Sequence, residues 1–225
     1  MTEKKAIIFD LDGVIVDTAT FHFYAWRNLA RKLGIDFNEK DNEQLKGVSR
    51  VESLKKILEW GNKSIPDDEF EQLMEEKNRE YLSYVDQMQP EDILPDVMPT
   101  LEFLKVNKVR MAIGSASKNT KRILNNVGLL DLFDAIVDGI KVTKAKPDPE
   151  VFLTGANNLN VDPKECLVFE DSIAGVTAAN AGGFLSVGIG DAETLHHAHH
   201  CFSDFNEIGN DFFTKAGFQF TKSKN

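Results

Sequence analysis

The sequence of 225 residues has only two cysteines, Cys166 and Cys201. Two cysteines are too few for a disulfide framework, so a reducing compartment is predicted. No apolar run approaches the roughly 20 residues that span a bilayer. The five residues before the first apolar segment, Met1 to Lys5, are too few for a signal peptide. These absences predict a cytoplasmic protein with no membrane association.

Basic residues are also in deficit, with 26 Lys and Arg against 36 Asp and Glu, a net charge of -10. Such a charge repels nucleic acid and anionic membrane surfaces, so neither is a predicted partner. An anionic ligand would need a local cluster of donors. The hydrophobic content of 42% and the charged content of 28% are ordinary for a globular chain of one large or two small domains.

Five short apolar runs are predicted to be strands, and helical patterns separate the last four. The runs are Ala6–Phe9, Val109–Ile113, Asp134–Val137, Cys166–Phe169 and Phe184–Val187. Strands that alternate with helices predict an α/β fold with a doubly wound parallel sheet.

The segment between the first two strands has no strand pattern. It contains amphipathic stretches at Thr20–Leu33, Val51–Trp60 and Asp67–Val85. We therefore predict an inserted helical cap domain over residues 18–89 and an α/β core domain over residues 1–17 and 90–225. The phenylalanine-rich tail after residue 206 is predicted to dock as a helix or strand and to fray from residue 222.

Ligands of doubly wound sheets bind at the carboxyl ends of the strands, and polar side chains follow three predicted strands here. Asp10 and Asp12 follow the first, the Ser115–Asn119 loop follows the second, and Glu170 with Asp171 follows the fourth. Lys146 lies in the loop before the Pro149 helix. Each motif alone is also typical of a turn, a helix cap or a surface charge. Their occurrence at successive strand ends predicts one site.

Clustered carboxylates need a positive partner, and oxygen ligands without histidine or cysteine favour Mg2+ over zinc. A serine-rich loop at a helix start and a lysine both suit a phosphate. The combination predicts phosphoryl transfer through an aspartyl-phosphate. Asp10 is then the nucleophile, and Asp12 is the group that transfers the proton.

The predicted cap contains a second candidate anion site, in the segment LKGVSR. Lys46, Arg50 and the intervening Gly47-Val48-Ser49 turn precede a predicted helix. Arg50 can bind a phosphate in a bidentate manner. Such a site suits a substrate with two phosphates, or with one phosphate far from the reacting one. The alternative is that Lys46 and Arg50 are ordinary surface charges.

The segments FDLDGV, the Ser115 loop, KAKPDPEVF and EDSIAG resemble, in order, the four motifs of the haloacid dehalogenase superfamily. The resemblance covers all but about the last twenty residues. It implies that Asp10 is the nucleophile and Asp12 the general acid/base. It also implies that Ser115 and Lys146 bind the transferring phosphoryl group. Glu170 and Asp171 would hold Mg2+ together with Asp10 and the backbone carbonyl of Asp12.

Within that superfamily, the whole predicted cap is similar to the β-phosphoglucomutase family, including His22, Trp26, the segment LKGVSR and Lys77 in EEKNREYL. This resemblance implies conversion of β-glucose 1-phosphate to glucose 6-phosphate by a monomer, with Mg2+ and β-glucose 1,6-bisphosphate as priming phosphoryl donor. It implies that His22 and Lys77 couple cap closure to Asp12. The implied substrate-binding residues are Thr18, His22, Trp26, Lys46, Gly47, Val48, Ser49, Arg50, Ser53, Lys77, Ser115, Ala116, Ser117, Lys118, Asn119 and Lys146.

Two other functions stay open at this stage: a sugar-phosphate phosphatase of the same fold and a non-catalytic phosphate-sensing module. The phosphatase would release free phosphate, whereas a mutase would release an isomerised sugar phosphate. A separate histidine cluster at residues 196–200 has the spacing to chelate a metal on a helix. We predict instead a solvated stretch there.

Overall fold

The computed structural model describes residues 2–220, which contain a six-stranded sheet. The strands are β1 Ala6–Phe9, β2 Arg110–Gly114, β3 Ala135–Val137, β4 Cys166–Glu170, β5 Leu185–Ile189 and β6 His200–Phe202. Their order across the sheet is β3-β2-β1-β4-β5-β6, and every neighbouring pair is parallel. The predicted doubly wound α/β class is confirmed.

Helices fill the connections from β1 through β5, and α9 follows β6. They are α1 Ala19–Lys32, α2 Glu39–Glu43, α3 Arg50–Trp60, α4 Asp67–Val85, α5 Val97–Val106, α6 Thr120–Asn126, α7 Glu150–Asn158, α8 Ile173–Ala181 and α9 Asn210–Ala216. The sequence pattern missed α2, which has only five residues and begins with an Asn38 capping box. No helix within residues 2–220 is both long enough and apolar enough to cross a membrane.

The sheet is buried on both faces, as the unbroken apolar strands require. Ile7 and Phe9 of β1 pack in one apolar cluster with residues of α5, α6 and α9. The alternate residues, Ala6 and Ile8, pack in a second cluster with residues of α7 and α8. Asp10 directly follows β1, a central strand that has a neighbouring strand on each edge and an apolar cluster on each face.

Helices α1 to α4 lie between β1 and β2 in the chain and enclose an apolar cluster of their own. Trp26 and Leu29 of α1 pack there with Leu54 and Ile57 of α3. Asn28 of α1 also donates a hydrogen bond of 2.5 Å to Glu80 of α4. An inserted helical cap is expected to have an apolar cluster of its own, as these helices do. The domain boundaries at residues 18 and 89 stay a prediction.

The chain beyond β5 contains one strand, β6, that the sequence did not predict. Turns rather than a helix cover residues 192–197, and β6 begins at His200, so the last residue of the histidine cluster pairs with the sheet. His199 Nδ1 accepts a hydrogen bond of 3.2 Å from the backbone N–H of Ser186. His199 and His200 are both exposed, as expected for a solvated stretch. Strand β6 was not predicted, because it has only three residues and no apolar run marks it. Helix α9 docks as predicted, through Phe212 and Phe213. The predicted frayed end lies outside the described residues.

Candidate active site

An ammonium group between two carboxylates forms the floor of the site. Lys146 Nζ lies 2.5 Å from Asp10 Oδ1 and also contacts Glu170 Oε1. Asp10 follows β1, Glu170 ends β4, and Lys146 lies in the loop before α7. All three side chains are buried. Three segments that are far apart in sequence thus meet at the carboxyl edge of the sheet.

The charges on this floor are mutually dependent. Burial raises the pKa of Asp10 well above its ordinary value, while Lys146 opposes that rise and Glu170 adds to it. Burial lowers the pKa of Lys146, but Asp10 and Glu170 outweigh it and raise the value overall. Lys146 therefore stays charged. The other oxygen of Glu170, Oε2, is held in place because it accepts a hydrogen bond of 2.7 Å from the backbone N–H of Ser172.

Asp12 lies two residues beyond Asp10 and has a different partner. Its Oδ1 accepts a hydrogen bond from the hydroxyl of Thr18. Thr18 is fully buried and immediately precedes α1. Burial raises the pKa of Asp12, and the Thr18 hydroxyl acts in the opposite direction. The carboxylate of Asp12 is thus tied to the point where the chain leaves the sheet for α1.

Asp171 approaches the turn that follows Asp10. Gly13 has a positive φ of 84°, and a side chain at that position would collide with the Asp171 carboxylate. Burial, and then the charge of Glu170, raises the pKa of Asp171 to about 7. Lys46 Nζ, from the turn before α3, lies 3.5 Å from Asp171 Oδ2.

This donor set fits a divalent metal ion such as Mg2+. The side chains of Asp10, Glu170 and Asp171 offer only oxygen, the ligand that Mg2+ prefers. Burial, and to a smaller extent the charge of Glu170, raises the pKa values of Asp10 and Asp171, and a bound cation would favour their ionised forms. Within residues 2–220, no three metal-ligating side chains converge closely enough to enclose an ion. Lys146 and Lys46 contact the carboxylates instead.

A cavity of about 210 Å³ opens above this floor, between the sheet edge and helices α1 to α4. Most of the sequence-predicted residues line it. These are Asp10, Asp12, His22, Trp26, Lys46, Gly47, Val48, Ser49, Arg50, Ser53, Lys77, Ala116, Ser117, Lys118, Asn119 and Asp171.

Four predicted residues do not line this cavity: Thr18, Ser115, Lys146 and Glu170. Three of them act on its lining indirectly, because Thr18 bonds Asp12 and Lys146 links Asp10 to Glu170. The Ser115 hydroxyl accepts a hydrogen bond of 3.0 Å from the backbone of its own loop, at Ser117. Ser115 therefore shapes the loop in this structure.

The sequence analysis missed several lining residues. They are Ala19, Asn42, Leu45, Val51, Met74, Asn78, Tyr81 and Gly139. Three of them share one face of α4 with Lys77, at the spacing 74, 77, 78 and 81. That spacing was visible in the sequence. Asn78 also bridges to the core, because Asn119 Nδ2 donates to Asn78 Oδ1 at 3.1 Å.

The cap side of the cavity is positively charged. Arg50 begins α3, is half-buried, and has no carboxylate within ion-pair distance among residues 2–220. Burial lowers its pKa from the ordinary value. Lys77 Nζ lies 2.7 Å from His22 Nδ1. Burial, and then the charge of Lys77, holds the pKa of His22 well below its usual range, so its imidazole is neutral.

A carboxylate pair at the end of the first strand, a lysine between strand ends and a helical insertion above them define a class of phosphoryl-transfer fold. The family model for haloacid dehalogenase-like hydrolases matches residues 4–183. The chain belongs to that family.

The chain is similar to particular members of the family. It is 42% identical over 193 residues to a β-phosphoglucomutase of Bacillus subtilis, with 85% of each chain covered. It superposes on the crystal structure of a β-phosphoglucomutase from Clostridium difficile with a TM-score of 0.91 and 44% identity, covering 94% of this chain and 96% of that one. A phosphorylated carbohydrates phosphatase of Thermotoga maritima is less similar, at 32% identity over 80% of this chain and 82% of that one.

Proposed function

We propose that the chain is a phosphomutase that interconverts β-glucose 1-phosphate and glucose 6-phosphate. The observation that carries the proposal is the half-buried guanidinium of Arg50, which faces the cavity with no carboxylate partner among the described residues. A phosphatase that acts on a sugar monophosphate needs an anion site only at the reacting carboxylate. A mutase must also hold the phosphate that is not reacting, and Arg50 lies in the cap, away from Asp10.

In the proposed cycle, Asp10 carries the phosphoryl group as an aspartyl-phosphate. The C6 hydroxyl of β-glucose 1-phosphate attacks that phosphorus, Asp12 takes the hydroxyl proton, and the bond from phosphorus to Asp10 breaks. The resulting 1,6-bisphosphate turns over in the cavity. Asp10 then attacks the C1 phosphate, and Asp12 returns the proton to the departing C1 oxygen, which leaves glucose 6-phosphate and phosphorylated Asp10.

Lys146 has a defined part in this cycle. Its ammonium group bridges Asp10 and Glu170, so it stabilises the ionised nucleophile and the charge that develops on the phosphoryl oxygens. Glu170 in turn fixes Lys146. Asp10, Glu170, Asp171 and the backbone carbonyl of Asp12 would hold Mg2+, which would supply charge neutralisation at the phosphoryl group when bound.

The mutase must also keep water from the aspartyl-phosphate. The Asp12 carboxylate is the base that would activate water, and its hydrogen bond to Thr18 holds it at the start of α1. Release of that bond by movement of α1 on sugar binding would make the base available only to the sugar. His22 and Lys77 line the cavity on α1 and α4 and would link the cap to this change.

The experiment that separates mutase from phosphatase uses Arg50 and two substrates. A charge-assisted contact to phosphate contributes about 1.5–3 kcal/mol, so Arg50→Ala should slow isomerisation of β-glucose 1-phosphate at least tenfold. Arg50→Lys should restore only part, since the forked geometry is lost. Hydrolysis of acetyl phosphate should fall much less, because that donor needs only Asp10 and its neighbours.

The matched control is Arg79→Ala, which removes an exposed arginine of α4 that does not line the cavity. It should leave both rates near those of the unmodified chain. An equal loss of both activities in Arg50→Ala would mean that Arg50 supports the structure of the cap. The phosphatase function would then be the better account.

A further inference from the structure

Tyr81 is a buried residue of α4 whose hydroxyl lacks a hydrogen-bond partner among residues 2–220. Its side chain is 1% exposed, yet it lines the cavity above Asp10. Buried hydroxyls in native proteins nearly always have a partner, so an unpaired one calls for an explanation. A partner that arrives in another state of the enzyme is one such explanation.

The ring of Tyr81 is held from two sides. It stacks on His22 with the ring centroids 4.2 Å apart, and Lys77 Nζ lies 4.8 Å from its centroid. His22 lies in the first turn of α1, and its backbone N–H donates to the carbonyl of Thr18, the residue before the helix, at 3.0 Å. The Tyr81 hydroxyl is therefore fixed in position beside the residue that holds Asp12.

The surroundings make this hydroxyl a donor. Burial, and then the negative charge of Asp12, raises the pKa of Tyr81 well above its ordinary value, against the effects of Thr18 and Arg50. The phenol consequently keeps its proton. Thr18 gives its own hydroxyl proton to Asp12, and no acceptor among residues 2–220 lies within hydrogen-bonding geometry of the Tyr81 hydroxyl, although Thr18 is close enough to act on its pKa.

We infer that Tyr81 is a positioning residue for Asp12: its hydroxyl donates a hydrogen bond to the Asp12 carboxylate once that carboxylate leaves Thr18 to meet the sugar. The inference rests on the proposed function only in the role that it gives to Asp12. Asp12 would thus exchange one hydroxyl donor for another, Thr18 when the site is idle and Tyr81 when it is engaged. The second donor would fix the angle at which Asp12 approaches the sugar oxygen.

The test compares Tyr81→Phe with Tyr84→Phe. The first change removes the hydroxyl but keeps the ring against His22 and Lys77. The second removes the hydroxyl of a tyrosine on the same helix that stacks on Phe21, outside the cavity lining. Two rates are measured for each variant: isomerisation of β-glucose 1-phosphate, and labelling of Asp10 by acetyl phosphate, which needs no proton transfer from Asp12.

In Tyr81→Phe we expect kcat for isomerisation to fall by about tenfold or more, with KM within about threefold, because acid–base transfer contributes roughly 10²–10⁴-fold. Labelling of Asp10 should fall much less than isomerisation does. Tyr84→Phe should show no such difference. Isomerisation by Tyr81→Phe at the rate of the unmodified chain would overturn the inference, and so would an equal loss of isomerisation and labelling.

The same variants separate this inference from the proposed function. If the unmodified chain releases free phosphate and no glucose 6-phosphate, the mutase proposal fails. Asp12 would still have to protonate the departing sugar oxygen during hydrolysis. A Tyr81→Phe enzyme that hydrolyses the sugar phosphate about tenfold more slowly, but is labelled by acetyl phosphate at a similar rate, would then support the role of Tyr81. Equal effects on both reactions would overturn it.

Discussion

The hydroxyl of Thr18 donates a hydrogen bond to the carboxylate of Asp12. Thr18 is fully buried at the junction between the sheet and α1, and Asp12 lies on the turn after β1. One bond therefore joins the proposed acid/base to the first helix above the cavity. A change in the position of α1 would alter the position and the protonation of Asp12 together.

Thr18→Val should shorten the lifetime of the aspartyl-phosphate. The valine keeps the shape of threonine but frees Asp12 to activate water. A hydrogen bond to a charged group contributes about 1.5–3 kcal/mol, which corresponds to roughly tenfold or more in rate. The half-life of enzyme labelled by acetyl phosphate, without sugar, measures this effect. Thr20→Val, two residues further on and exposed, is the control. An unchanged half-life in Thr18→Val would contradict the holding role of Thr18.

Asp10→Asn should abolish phosphoryl transfer. The amide keeps the shape of the side chain but lacks the negative charge that attacks phosphorus, so turnover should be near background. Mass spectrometry of acid-quenched protein should find no phosphoryl adduct. Asp36→Asn makes the same charge change at an exposed position of the cap and should be labelled normally. Substantial turnover by Asp10→Asn would exclude it as the nucleophile. Absence of labelling in the unmodified chain would favour a phosphate-sensing module.

Asp12→Asn should separate proton transfer from metal binding. The Asp12 side chain bonds Thr18, and the proposed metal contact of Asp12 is its backbone carbonyl. The substitution should therefore remove proton transfer and leave the metal ligands in place. Isomerisation should fall by roughly 10²–10⁴-fold. Mg2+ affinity, measured by titration calorimetry, should stay within about threefold. A parallel loss of Mg2+ affinity would show that the side chain of Asp12 is itself a metal ligand.

The metal-free chain should lose stability as the pH rises through 7, because Asp171 has a pKa of about 7 when folded and 3.8 as a free side chain. The folded state then binds more protons than the unfolded state between these values, and the free energy of unfolding falls with pH. From pH 5.5 to pH 8 the fall attributable to Asp171 is about 2 kcal/mol, from 1.36 kcal/mol for each pKa unit.

This contribution is measured as the difference in unfolding free energy between the unmodified chain and Asp171→Asn, in urea with a chelator present. The opposite effect of His22, whose folded pKa is lowered, is common to both proteins and cancels. Saturating Mg2+ should reduce the pH dependence, since a cation favours the ionised carboxylate. A difference that grows in favour of the unmodified chain as the pH rises would contradict the raised pKa of Asp171.

The floor of the site was predictable because each part is local in sequence. An apolar run that ends in carboxylates marks a strand end, and a parallel sheet brings such ends to one edge. Asp10, Glu170 and Lys146 meet there for that reason. The bounds of α4 were likewise predicted to the residue, because strong helical periodicity marks it.

The features that the sequence did not predict depend on tertiary packing, which short sequence patterns do not encode. Tyr81 occupies a helical position typical of a core aromatic, and only the structure shows that its hydroxyl lacks a hydrogen-bond partner among residues 2–220. The contact between Asn78 and Asn119 joins residues 41 positions apart, and the local pattern around each residue does not show that the two meet. Strand β6 is held by its pairing with β5 rather than by its own three residues.

Phosphorus NMR gives the most direct test of the central claim, that this chain moves a phosphoryl group between two positions of one sugar. The purified protein is mixed with anomerically pure β-glucose 1-phosphate, Mg2+ and a catalytic amount of β-glucose 1,6-bisphosphate. We expect the β-glucose 1-phosphate resonance to be replaced by that of glucose 6-phosphate, with little inorganic phosphate and no reaction in Asp10→Asn. Inorganic phosphate as the main product, in proportion to the β-glucose 1-phosphate consumed, would contradict the central claim.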